Sequence, residues 1–196
     1  MRWFDGRRAI LLPLCGAAMG AIGAFFYAEL PIPFAALLIA VTWSALAFVP
    51  RESERFGIAD AVNMAAAAAV RWLAIEHLAT GRALTIFIAA QAVPRAAMIV
   101  LAWVSRPAPA GAGYAFSSTL ETWMALIAMA AGFAAAFACG LRPAAMILAG
   151  AYLIGRLVQW ISYRVRGAVN ADSFGAAQLL TELYVLLLFD CAACKW

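Results

Sequence analysis

About seven apolar stretches follow one another along this chain, each near the roughly 20 residues needed to cross a bilayer. They fall at 9–28, 34–49, 58–79, 83–104, 119–138, 143–163 and 176–193. A backbone in hydrocarbon must satisfy its own N–H and C=O groups, so segments of this length are helices. Composition leaves no competing class. With 67% hydrophobic and 12% charged residues, the chain lacks the polar surface of a soluble domain. The expected architecture is an all-α polytopic transmembrane bundle forming a single domain over residues 1–196.

Prolines and glycines punctuate the segments. Pro31 and Pro33 separate the first from the second, Pro50 ends the second, and Gly81 divides the third from the fourth. The run Pro107-Ala-Pro109-Ala-Gly111-Ala-Gly113 is the clearest loop, and Pro143 opens the sixth segment. The apolar run beginning at Leu11 is long enough to be an uncleaved first helix rather than a signal peptide. Gly16, Gly20 and Gly23 suit close packing inside the bundle, or a dimer face, and Ala65 to Ala69 also suit tight packing.

Positive charge sets the orientation. Arg2, Arg7, Arg8, Arg51, Arg55, Arg106, Arg164 and Arg166 fall on one side, against Arg82, Arg142 and Lys195 on the other. Cytoplasmic loops carry the excess of Lys and Arg, so the N-terminus is expected inside. The inner membrane of a bacterium is the expected location. A net charge of +4 with no basic stripe gives no nucleic-acid surface. Cys15 and Cys139 read as small core residues, and Cys191 and Cys194 as incidental ones, because a zinc site needs about four ligands.

Ionisable groups at membrane depth are costly, and so they point to function. Arg71, Arg95 and Arg156 fall inside apolar segments, and Glu182 lies inside the last. Asp60 and Asn63 open the third segment, and Asn170 and Asp172 precede the last. With the N-terminus inside, Asp60 with Asn63, the Pro/Gly loop, and Asn170 with Asp172 all map to the cytoplasmic side. Arginines there suit phosphate, and carboxylates suit Mg²⁺, which takes oxygen ligands and shares them with substrate phosphates. The same residues also suit structural roles: Arg71 snorkelling, Asp60 capping a helix, and Arg95, Arg156, Asp172 and Glu182 paired within the bundle. His77 reads as an exposed loop residue.

Three stretches resemble the cobalamin-5′-phosphate synthase (adenosylcobinamide-GDP ribazoletransferase) family. Gly167-Ala-Val-Asn170-Ala-Asp172-Ser-Phe-Gly175-Ala176 followed by Glu182 is similar to the family's closing Gly-Asp-x-Leu-Gly-Ala run and its Glu. Pro94-Arg95-Ala-Ala-Met98 with Gly111-Ala-Gly113-Tyr-Ala-Phe116 resembles its Arg-containing helix and the Gly-x-Gly-x-x-Phe loop after it. Pro13-Leu-Cys-Gly16 with Gly20 is similar to its opening helix. The resemblance implies a Mg²⁺-assisted membrane enzyme of late vitamin B12 synthesis. Such enzymes join α-ribazole, or its 5′-phosphate, to adenosylcobinamide-GDP and release GMP.

It further implies Asp172 and Glu182 in catalysis, with Arg95, Gly111, Gly113 and Asn170 at the substrate phosphates. Asp60, Asn63 and Asp172 would hold the metal. The chain departs from the family at its Asp-rich segment, His-x-Asp-Gly-x-x-Asp-x-x-Asp in form. Glu54-Arg55-Phe56-Gly57-Ile58-Ala59-Asp60-Ala61-Val62-Asn63 keeps only Gly57 and Asp60 of it, with Phe56 at the first Asp and Asn63 at the last. A catalytically impaired paralogue that binds a ligand or scaffolds a membrane complex is therefore the alternative. Oligomeric state is open.

Overall fold

The computed structural model describes residues 9–46, 58–78 and 80–190; side chains 45–61 and 79–80 are outside the description. Eight α-helices carry these residues: α1 Leu11–Glu29, α2 Ile32–Leu46, α3 Ile58–Glu76, α4 Ala83–Val104, α5 Ala112–Ser118, α6 Thr122–Phe137, α7 Leu141–Arg166 and α8 Ala171–Asp190. A 3-10 turn at Thr80–Arg82 leads into α4. The bundle is all-helical and polytopic, as the apolar pattern requires.

Four helices, α1, α4, α7 and α8, are long and apolar enough to cross a membrane. Counting α5 and α6, which meet at a 99° bend, as one broken span gives a fifth. The expectation of about seven spans thus exceeds what length and apolarity support among the described residues. At 15 residues, α2 is short for a span, and α3 does not meet the test.

Local chemistry sets the breaks. Leu30 is extended before Pro31, as a residue preceding proline must be, and this ends α1. Gly167 closes α7 with φ +73 and donates its N–H to Tyr163 O, the left-handed cap that glycine adopts without penalty. The last helix starts earlier than the apolar pattern predicts. Asn170 caps it, its Oδ1 accepting the Ser173 N–H at 3.1 Å, and a polar first turn hides such a start from hydropathy.

Helix α4 is the axis. It is the most buried of the four long apolar helices, and α1, α6 and α8 pack around it. The interior is lined by small residues such as Ala35, Ala36, Ala89, Ala90, Ala125 and Ala144, all fully buried. Phe25, Phe34, Leu141, Tyr152 and Val165 point outward. In lipid no hydrophobic force drives large side chains inward, and close backbone packing takes over.

The glycines of α1 meet that need inside one chain. A Cβ on Gly16 would lie 2.4 Å from Gln91 O, and one on Gly20 2.4 Å from Phe87 O. The Ala65–Ala69 run corrects its sequence reading: it is exposed or half-buried, because α3 seats itself through Arg71, Ala74 and Ile75 instead. Cys15 is also exposed rather than in the core, whereas Cys139 is buried.

Candidate functional site

The polar residues form two layers at different heights. The first lies at the bundle end that holds the α4–α5 and α7–α8 connections. There Pro107 and Val169 form a parallel bridge. Ala108 N donates to Val169 O at 3.0 Å, and Val169 N to Arg106 O at 3.2 Å. The Arg106 N–H also donates to Tyr163 Oη at 2.7 Å. Gly113 then enters where a side chain could not: a Cβ there would lie 2.9 Å from Ala171 N and 3.1 Å from Asn170 C. The Pro/Gly loop and the Asn170–Asp172 stretch, some sixty residues apart in sequence, are thereby fastened backbone to backbone.

Within this layer Asn170 is buried and turned inward. Its Oδ1 accepts from the Ser173 backbone and, at 2.8 Å, from Ser173 Oγ. The Ser162 hydroxyl lies 2.8 Å from Ser173 Oγ and ties α7 to α8. Asp172 points the other way, half-exposed, its Oδ2 held by Arg166 Nη1 at 2.9 Å. Gly111 is exposed, with φ 99 at the start of α5. Asn63 is exposed one turn into α3. The Asp60 side chain lies outside the described residues, as do Glu52, Glu54 and Phe56.

The second layer is inside the bundle. Arg71 of α3 is 1% exposed and grips Glu182 of α8, 2% exposed. The pair is two-pronged, with Nε to Oε1 at 2.7 Å and Nη2 to Oε2 at 2.8 Å. Arg71 Nη1 donates to Ser44 Oγ at 2.7 Å, which brings in α2. Gln91 Nε2 donates to Glu182 Oε1 at 2.9 Å. The Gln91 side-chain oxygen in turn accepts from Arg95 Nη1 at 2.7 Å, and Arg95 Nη2 meets Met19 Sδ at 3.3 Å. Glu182 pairs directly with Arg71 and is linked to Arg95 only through Gln91, with the remaining donors absorbed by neutral groups. Arg71 therefore does not snorkel; it is the most deeply buried cation of the network.

These placements divide the candidate residues. Ten positions of α8 separate Asp172 from Glu182, about 15 Å at 1.5 Å per residue. Gly111, Gly113, Asn170 and Asp172 gather at the bundle end, whereas Arg95 and Glu182 belong to the interior network. Arg95 is 6% exposed and walled in by α1, since a Cβ on Gly16 would lie 3.0 Å from its Cδ. Sequence reasoning missed Ser44, Gln91, Ser162 and Ser173. Gln91 carried a legible signal: it is a lone amide in an apolar segment, one helical turn before Arg95.

The described residues do not fit a magnesium ion on their own. No three His, Cys, Asp or Glu side chains gather among them. Asp172 is held by a cation, and Ser117 Oγ on α5, buried and without a partner, offers only one neutral oxygen. Octahedral Mg²⁺ needs more oxygens than that.

The family model for cobalamin-5-phosphate synthase matches residues 52–190. The chain belongs to the cobalamin-5-phosphate synthase family. With the apolar helices, that membership makes it an integral membrane protein of cobalamin synthesis. The match spans the remnant acidic segment and both polar layers apart from Ser44 and Met19, and it begins after the first two helices, so the likeness of Pro13 to Gly20 lies outside it. No curated protein and no solved structure gives a significant match.

Proposed function

We propose that this protein is a divergent cobalamin-5-phosphate synthase that joins α-ribazole, or its 5′-phosphate, to adenosylcobinamide-GDP and releases GMP. In that reaction a ribazole oxygen forms a bond to the cobinamide-side phosphorus of the diphosphate. The P–O bond to GMP breaks, GMP takes the electron pair, and the attacking hydroxyl gives up its proton. One observation carries the reading: within the span matched by the family, the glycine loop is fastened onto Asn170–Asp172, so backbone and a carboxylate meet at one open end of the bundle.

In this reading the exposed Gly111 lets the phosphates approach the backbone, the buried Gly113 lets the loop close onto α8, Arg106 and Arg166 supply positive charge, and Asp172 leaves Arg166 when substrate binds. Arg95 and Glu182 act from below, holding α4, α8 and α3 in register. The arginine bias supports a cytoplasmic position for this end. Magnesium belongs to this reading only with Asp60 and Glu52 or Glu54 joining Asp172.

The departures at Phe56 and Asn63, and the Arg166–Asp172 pair, favour the second reading: an impaired paralogue that binds a cobamide-like ligand or scaffolds a complex. Complementation separates the two. Growth of a synthase-lacking strain on cobinamide should be restored by the wild type and lost with Asp172→Ala and Gly113→Ala at equal membrane abundance. No rescue by abundant wild-type protein would favour the paralogue.

A further inference from the structure

The outer face of α7 carries two arginines that no carboxylate among the described residues neutralises. Its sequence, Leu141–Arg166, contains four arginines and no carboxylate. Arg166 is engaged by Asp172. Arg156 and Arg164 are exposed and make no ion pair among the described residues. Among the described residues Arg156 donates only to Gln159 Oε1, and Gln159 Nε2 continues to Ser105 Oγ at 3.0 Å. Arg164 lies over the Trp160 ring, 5.8 Å from its centroid. Positions 156, 160 and 164 are each one helical turn apart, so the three side chains form one stripe.

Depth makes this stripe informative. The 26 residues of α7 are about 39 Å long, against a hydrocarbon core of about 30 Å. Arg156 lies ten residues, about 15 Å, from the Arg166 end. Even if all of the excess length projects at that end, the Arg156 backbone is still about 6 Å inside the hydrocarbon. Trp160 is 58% exposed, as expected of an aromatic ring at the membrane interface. Leu153, Leu157 and Ile161 are exposed around the arginine. A guanidinium on such a face reaches up toward the headgroups, the direction that Gln159 takes, and its charge needs an anion there. Beside it Gly155 leaves open space, with no atom within 4 Å of where a Cβ would be.

We infer that the α7 stripe Arg156–Trp160–Arg164 is a binding site for the phosphate headgroup of an anionic phospholipid. Both arginines hold the phosphate, the Trp160 ring marks its level, and the acyl chains run down past Leu157 and Leu153. The site depends on α7 crossing the membrane, not on the transferase reading.

Native mass spectrometry of the purified full-length protein with phosphatidylglycerol or phosphatidylcholine tests it. Phosphatidylglycerol should be retained preferentially, and Arg156→Gln with Arg164→Gln should each weaken retention about fivefold. Arg142→Gln, at the opposite end of the same helix, should have no effect. Equal retention of both lipids by the wild type would overturn the proposal without recourse to any variant. So would undiminished retention by the double variant, or displacement of the lipid by millimolar inorganic phosphate.

Discussion

Glu182, which the family resemblance implies in catalysis, closes on Arg71 with both carboxylate oxygens, the paired structural role that the sequence also allowed. Removing one partner of a buried pair leaves an uncompensated charge, at a cost of about 3–5 kcal/mol. Glu182→Gln should therefore lower the thermal stability of the protein in detergent sharply. The double change Arg71→Met with Glu182→Leu should recover most of that loss, since apolar replacement of both partners is commonly close to neutral. A double variant as unstable as the single would show that the pair is not self-contained.

His77 behaves differently because it is exposed. Its Nδ1 lies 2.9 Å from Leu73 O at the end of α3, and that backbone bond, helped by Asp190 and Glu76, raises its pKa above 6.5. A raised pKa means that the folded state holds the proton more tightly. Whatever His77 contributes to stability is thus complete below about pH 6.5 and fades as the pH climbs through the folded pKa. An NMR titration should find the midpoint above 6.5; a midpoint below it would contradict the cap.

At the scale of elements, α1 and α4 meet through glycine. Gly20→Ala puts a methyl group 2.4 Å from a carbonyl oxygen, so one helix must move. Overpacking of this kind costs about 1–3 kcal/mol, measurable as a lowered melting temperature. An unchanged melting temperature would mean that α1 sits further from α4. The glycine spacing was legible in the sequence because small residues in apolar segments serve packing. Helix α5 was not legible. Its seven residues are too few to show a period, and the sequence there reads as a continuation of the Pro/Gly loop before the fifth segment. The start of α8 was hidden because Asn170, Asp172 and Ser173 are polar, although Asn170 Oδ1 caps the helix through Ser173.

For the whole molecule, apolar length and composition fixed the helical membrane class before any coordinate was known. The convergence of the Pro/Gly loop with Asn170–Asp172 was also anticipated, since helices crossing a membrane return their ends to common faces. What sequence could not supply was depth within a face. Arg95 and Glu182 are on the right helices but in a layer about 15 Å from Asp172 along α8. In the proposed function that layer orders the bundle and the end layer meets substrate. The most direct test is turnover in vitro. Purified protein in phosphatidylglycerol-containing vesicles, given adenosylcobinamide-GDP, α-ribazole and Mg²⁺, should release GMP in step with the nucleotide-loop product, and Asp172→Ala should release none. Folded wild-type protein that yields no GMP, or an Asp172→Ala variant that matches it, would contradict the account.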